Sequence, residues 1–167
     1  MVTLLPKVEL DRLNWSTILI STLTFWLSGC LVLDFLIMPA LYASGMMGTA
    51  NFAATGTLLF SLFNRLELLC AAIGVTGFLV LINTHPHTGR KGQIAIILSF
   101  ILMGIVLVDT YGLTPEMTAL GAQFNLLNPT PEIPATMDQM HEEYFALETL
   151  KLGVAGLLIG WCWRKQV

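Results

Sequence analysis

Asp34, Glu67, Asp109 and Glu148 sit in stretches of sequence that are otherwise apolar, and Arg65 and Lys151 sit there with them. Ionisable side chains in such surroundings are costly, so they are found where they pair, bind or carry something. Four carboxylates set against two obligate cations leave two acids in excess. In a medium of low dielectric constant, that excess must be protonated, solvated at an interface, or neutralised by a bound cation or by His141. The chemistry within reach is therefore ion pairing, proton exchange or cation binding.

Helical periodicity says which of these residues can meet. His141, Tyr144, Glu148 and Lys151 recur at steps of three and four and share one helix face. Asn64, Glu67, Ala71 and Gly74 do the same on a second helix, and Cys30, Asp34 and Met38 on a third. Glu148 precedes Lys151 by three residues, a spacing that suits a local ion pair. The site expected from these faces is His141, Tyr144, Glu148, Glu67 and Asp34. Arg65, Lys151 and Asp109 are the expected structural ion-pair partners.

The elements that must position these groups are membrane spans. The chain of 167 residues is 55% hydrophobic and only 11% charged, against about 25% charged in a soluble domain. Its mean hydropathy is +0.74. Four segments are long and apolar enough to cross a bilayer: about 15–42, 52–82, 93–111 and 137–163. The expected fold is an all-α membrane protein, one domain over residues 1–167 built as a four-helix transmembrane bundle. The apolar run LGVAGLLIGWCW is too short for the fourth span, since twelve residues make about 18 Å of helix against a hydrocarbon core of about 30 Å. That span must reach back to Tyr144, which brings Glu148 and Lys151 to hydrocarbon depth.

The basic residues set the orientation. Lys7, Arg12, Arg90, Lys91, Arg164 and Lys165 all fall on one side, and the loops on the other side carry no Lys or Arg. Both termini are expected to be cytoplasmic, and every charge within a span then lies toward the outer face. In the outer loop between spans three and four, Thr114 is placed to cap a short helix with Pro115 at its first position, ending near Asn125. Thr136 and Gln139 fit a capping box at the start of span four. The N-terminal stretch LLPKVELDRLNW has the mixed character of an interfacial helix.

Metal and cofactor readings attach to the same outer region. Met38, Met46, Met47, Met117, Met137 and Met140 lie at or beyond the outer end. With His141, the set Met137, Met140 and Met38 offers the soft ligands that Cu(I) prefers; methionine is equally a filler of irregular gaps. His141 is also the candidate axial ligand for haem or chlorophyll, because His85 and His87 lie on the basic side. Cys30, Cys70 and Cys162 have no paired spacing and read as small packing residues. A net charge of -3 without a basic patch gives no nucleic-acid partner. No hydrolase elbow, phosphate-binding glycine loop or zinc-protease motif is present.

The stretch FWLSGCLVLDFLIMPALYASGMM resembles the first span of the copper-resistance protein D group of membrane proteins and its relatives. There a Trp-x-Gly-Gly-like stretch precedes an apolar segment ending in Pro; here Trp26, Ser28, Gly29 and Pro39 stand in that pattern, with Ser in place of one Gly. MHEEYFALETLK resembles the His-bearing final span of the same relatives. FNRLE, DTYGLTPEM and MHEEYFALETLK together resemble cyanobacterial and plastid members. The resemblance implies a thylakoid or plasma membrane and an accessory role beside photosynthetic or respiratory complexes. Three functions are thus in play. The first is a non-enzymatic accessory or assembly protein, with lipid and other membrane subunits as partners. The second is a copper, haem or pigment protein using His141 and the outer Met and carboxylate groups. The third is proton or ion passage through the acids.

Overall fold

The protein is described from a computed structural model, which covers residues 14–45, 52–84, 89–127 and 135–164. Helices α1 (Trp15–Val32) and α2 (Met38–Ala43) are joined by a π-helical turn, Leu33–Ile37. Helix α3 runs from Phe52 to Thr84. Helices α4 (Gly89–Val108) and α5 (Thr114–Leu127) are joined by a second π-helical turn, Asp109–Leu113. Helix α6 covers Ala135–Trp163. Four helical stretches are long and apolar enough to cross a membrane: Trp15–Ala43, Ala54–Thr84, Gly89–Gly121 and Gln139–Trp163. No strand occurs among the described residues.

One spacing organises all four spans. The buried positions are Leu19, Leu23, Trp26, Cys30 and Leu33 on α1 and its π-turn. On α3 they include Asn64, Glu67, Ala71, Gly74, Phe78 and Leu81. Span three buries Ala95, Ser99, Leu102, Val106, Asp109 and Leu113, and α6 buries Tyr144, Glu148, Lys151, Ala155, Leu158 and Cys162. Each series alternates steps of three and four, the 3.5-residue seam of left-handed helix bundles. The helices close in the order α1, α3, α4, α6, with α6 back against α1. Large apolar side chains such as Phe35, Leu36, Leu62, Ile97 and Phe100 point outward and are more than half exposed. A helix that is apolar on its outer face as well as its seam belongs in lipid.

Packing is tightest where α1 crosses α3. A Cβ added at Gly77 would lie 2.6 Å from Leu19 Cδ2 and 2.7 Å from Cγ. Leu19 is wholly buried and has nowhere to move. Gly77→Ala should therefore cost about 1–3 kcal/mol by overpacking, read as a lower unfolding temperature in detergent. Gly74→Ala, whose Cβ would meet nothing within 4 Å, should leave that temperature unchanged or slightly raised.

Several local expectations are corrected. Thr114 does not cap an independent helix. It is itself helical, and its backbone N–H bonds back to the Asp109 carbonyl oxygen, five residues earlier. Helix α5 therefore continues span three without a break. The wide turn answers the proline that follows. Pro115 has no N–H and its ring would clash with the carbonyl four residues back, so the helix loosens by one residue just before it. Pro39 stands in the same relation to the first π-turn, where the Met38 N–H bonds to the Leu33 carbonyl oxygen. Thr136 is likewise inside α6 rather than at its cap, and the Gln139 amide donates forward to Glu143 Oε1 at 2.9 Å. The N-terminal stretch before residue 14, the segment 128–134, the HPH stretch at 85–87, Met46 and Met47 lie outside the described residues.

Candidate functional site: a buried lysine among three carboxylates

Seam positions on α3, the second π-turn and α6 converge at one level, and there the seam turns from apolar to charged. Lys151 Nζ lies 3.0 Å from both Glu67 oxygens. It lies 3.0 Å from Asp109 Oδ2 and pairs with Glu148 Oε1, its neighbour one turn back on α6. All four residues are at most 2% exposed. Helix α1 joins through donors rather than charge. The Trp26 indole Nε1–H donates to Glu67 Oε1 at 2.9 Å, and the Cys30 thiol donates to the same oxygen at 3.3 Å. Every span thus contributes a group, and Glu67 is the hub where three of them meet.

A second tier surrounds this core. Tyr144 sets its ring edge-on to Phe60, with centroids 5.7 Å apart, and Lys151 Nζ lies 5.9 Å from the Tyr144 centroid, within cation–π range. Asn64 donates through Nδ2 to Thr114 Oγ1 at 2.8 Å. Asp34, on the first π-turn, is half-buried and within electrostatic reach of Lys151 and Glu67. Several buried polar atoms here have no well-aligned hydrogen bond: Asp34 Oδ2, Asn64 Oδ1, Thr110 Oγ1, Tyr144 Oη and both carboxylate oxygens of Asp109 and Glu148. Buried polar groups are ordinarily satisfied; of these atoms, Asp109 Oδ2 and Glu148 Oε1 meet the Lys151 ammonium as ion pairs. The second π-turn carries Asp109 into this cluster, and such turns are frequent at functional sites.

The expected faces are met in most of their members. Glu67, Asp109, Glu148 and Lys151 come together, with Tyr144 beside them. Asp34 is close but not in the core, because the buried line on α1 runs from Cys30 to Leu33 rather than from Cys30 to Asp34. Arg65 is exposed and pairs with no acid among the described residues. The two-residue step from Glu67 turns it about 200° round the helix, away from the seam. His141 is exposed, although it continues the Tyr144–Glu148–Lys151 spacing, because the packed seam ends at Tyr144. Met38 and Met140 are half-buried, and the Met137 side chain lies outside the described residues. Trp26 is the cluster residue that sequence reasoning missed, whereas Cys30 was placed on the inward face with Asp34 and Met38 but read as a packing residue. Their four-residue spacing on one face was a usable signal.

The donor chemistry also tests the metal and pigment readings. Among the described residues, the group of His, Cys, Asp and Glu side chains with ligand-like spacing is Cys30, Glu67 and Glu148, whose ligand atoms lie within 4.8 Å of one another. The Lys151 ammonium already stands against both carboxylates of that group, so the place a metal would take holds a cation supplied by the chain. A groove between α4 and α6, lined by Leu98, Thr149, Leu150, Gly153, Val154 and Leu157, is apolar and offers no histidine to a haem or chlorophyll.

What this arrangement can do is set by its charge. Glu67, Asp109 and Glu148 against Lys151 count to two negative charges in excess, enclosed where water does not reach. Burying an uncompensated charge costs several kcal/mol, so protons or small cations must balance the cluster. Compared with known proteins, the chain matches no family model, no curated protein and no solved structure.

Proposed function

We propose that this chain is a non-enzymatic, multi-pass membrane protein whose buried carboxylate–lysine cluster holds exchangeable protons. The observation that carries this reading is Lys151 in ion-pair contact with three carboxylates at once, all of them sealed inside the bundle. One ammonium balances one carboxylate. Protons are the smallest carriers that balance the other two, and Lys151 already stands between the carboxylates where a larger cation would sit. The excess of basic residues beside the termini and the 2–3 loop supports cytoplasmic termini, which puts the cluster toward the outer side of the membrane.

An accessory role in a larger membrane complex fits with this reading. Four spans make a poor alternating-access carrier alone, whereas a proton-holding element serves well within a partner assembly. A thylakoid or plasma-membrane address rests on the resemblance carried by FNRLE, DTYGLTPEM and MHEEYFALETLK.

Infrared spectroscopy of the purified protein in lipid tests the reading. The wild type should show the carbonyl band of protonated carboxylic acids near neutral pH, and Glu148→Gln or Glu67→Gln should remove part of it. A spectrum without that band, or one untouched by either substitution and by Asp109→Asn, would show that the cluster holds no proton.

A further inference from the structure

Two protons placed on three carboxylates must leave one of them ionised, and the hydrogen bonds of the cluster are unevenly shared among the three. Glu67 takes most of them. Its Oε1 accepts from the Trp26 indole N–H at 2.9 Å, from the Cys30 thiol at 3.3 Å and from the Lys151 ammonium at 3.0 Å. Its Oε2 accepts from the same ammonium at 3.0 Å. Asp109 meets the ammonium through Oδ2 at 3.0 Å, while its Oδ1 is buried with no hydrogen-bond partner. Glu148 meets the ammonium through Oε1, and the Tyr144 hydroxyl is hydrogen-bonded to Glu148.

The kind of partner matters as much as the number. An indole N–H and an ammonium only donate, and a thiol is a weak acceptor. A proton on Glu67 would therefore point at donors from either oxygen. Donors aimed at a carboxylate favour its ionised form, and hydrogen bonds to an ionised acceptor are roughly twice as strong as neutral ones. A phenol oxygen accepts as well as donates, so a protonated Glu148 can give its O–H to Tyr144. Asp109 Oδ1 has no donor to lose when it takes a proton. The titratable groups within electrostatic reach of Glu67 are Cys30 and Asp34 from span one, Asp109 from the second π-turn, and Tyr144, Glu148 and Lys151 from α6.

We infer that Trp26 and Cys30 hold Glu67 as the ionised member of the cluster, so that the two exchangeable protons reside on Asp109 and Glu148. This rests on the proton-holding reading proposed above. Glu67 and Lys151 form the fixed charge pair, and Asp109 and Glu148 are neutral acids beside it. The core of the cluster then carries no net charge. Trp26 and Cys30 are positioning residues, acting on the protons through Glu67. This gives the uncharged donors of α1 a part in the chemistry as well as in the packing of the bundle.

Infrared spectroscopy of the full chain in lipid vesicles near neutral pH tests the assignment in two ways. The S–H stretch of Cys30, identified by its loss in Cys30→Ala, reports on its acceptor. Donation to a carboxylate lowers its frequency, and Glu67→Gln should raise it. The second measurement uses Glu148→Gln, which leaves one proton for Glu67 and Asp109 to hold against Lys151. With a heavy-carbon label on the glutamate carboxyls, the protonated-carboxyl band of this variant should stay at its unlabelled frequency, because Asp109 holds the proton. Adding Trp26→Phe and Cys30→Ala should move part of the band by the isotope shift, as Glu67 comes to share the proton. Replacing Cys30→Ala by Cys30→Ser, which keeps a donor, should move less of it. Unfolding temperatures of the variants, compared with wild type, separate a displaced proton from a misfolded chain. A wild-type Cys30 band unmoved by Glu67→Gln, or a Glu148→Gln band that carries the glutamate label, overturns the assignment and leaves the proton-holding cluster standing. A band still unlabelled after Trp26→Phe and Cys30→Ala overturns the role given to those two residues. A wild type with no protonated-carboxyl band overturns both readings.

Discussion

Replacing Lys151 with methionine should do more damage than any other single substitution in the bundle. The side chain is close in length and fits the seam, so the loss is of charge rather than volume. Glu67, Asp109 and Glu148 would face one another with no cation between them. Removing one partner of a buried ion pair costs about 3–5 kcal/mol, and here the removal leaves the carboxylate that Lys151 balances with no counter-charge beside two further acids. The expected result is a large fall in unfolding temperature in detergent, with loss of the monodisperse elution peak near neutral pH. The sign of the pH dependence follows. Protonation discharges the stranded carboxyls, and the folded variant then binds more protons than the unfolded chain. Lys151→Met should therefore regain stability as pH falls. If its unfolding temperature is pH-independent or rises with pH, the pairing described here is not what holds the spans together.

Glu67→Ala should come second. Glu67 is wholly buried and accepts from Trp26, Cys30 and Lys151. Truncation leaves the indole N–H without an acceptor, at about 1–3 kcal/mol for an orphaned buried donor, and opens a cavity between α1, α3 and α6. Lys151 keeps Asp109 and Glu148, so the total should stay below that of Lys151→Met. Glu67→Gln retains an acceptor oxygen for Trp26 and fills the same volume. Its unfolding temperature should lie between those of wild type and Glu67→Ala. Trp26→Phe, which removes the donor but keeps an aromatic ring on the seam, gives the complementary measurement. A double-mutant cycle of Trp26→Phe with Glu67→Ala should show coupling of about 0.5–3 kcal/mol. Additive effects would mean that the indole bond contributes nothing to the attachment of α1.

The residues of the site were legible because each is a charge in an apolar run. Glu67, Glu148 and Lys151 needed only hydropathy and the three- and four-residue steps to be set on inward faces, and hydropathy alone picked out Asp109. Arg65 and His141 show the limit of that method. Arg65 sits in the same apolar run as Glu67 and is only two positions away, yet it ends on the exposed face of the bundle. A long cation can carry its head toward the interface along an exposed face, and a linear scan does not distinguish that from pairing. His141 obeys the spacing but stands beyond the last packed layer, and periodicity does not say where packing stops. Trp26 and Cys30 were hidden for the opposite reason. Both read as ordinary apolar residues, and only the approach of α1 to α3 turns an indole N–H and a thiol into donors for one carboxylate oxygen.

Composition, hydropathy and the three- and four-residue steps by themselves determined four helices long and apolar enough to cross a membrane and the inward faces of Glu67, Glu148 and Lys151. These are properties of one helix at a time, so they are written in local sequence. The tertiary structure alone decided that three carboxylates share a single lysine, that Trp26 and Cys30 complete the hub, and that Asp34 stands at the rim while Asp109 reaches the core. Those outcomes depend on the relative rotation and height of separate helices. Two π-turns, each placed just before a proline, adjust that height and rotation where Asp34 and Asp109 sit. The clash that forces each turn is local, but which acid it carries inward is settled only when the neighbouring spans pack against it.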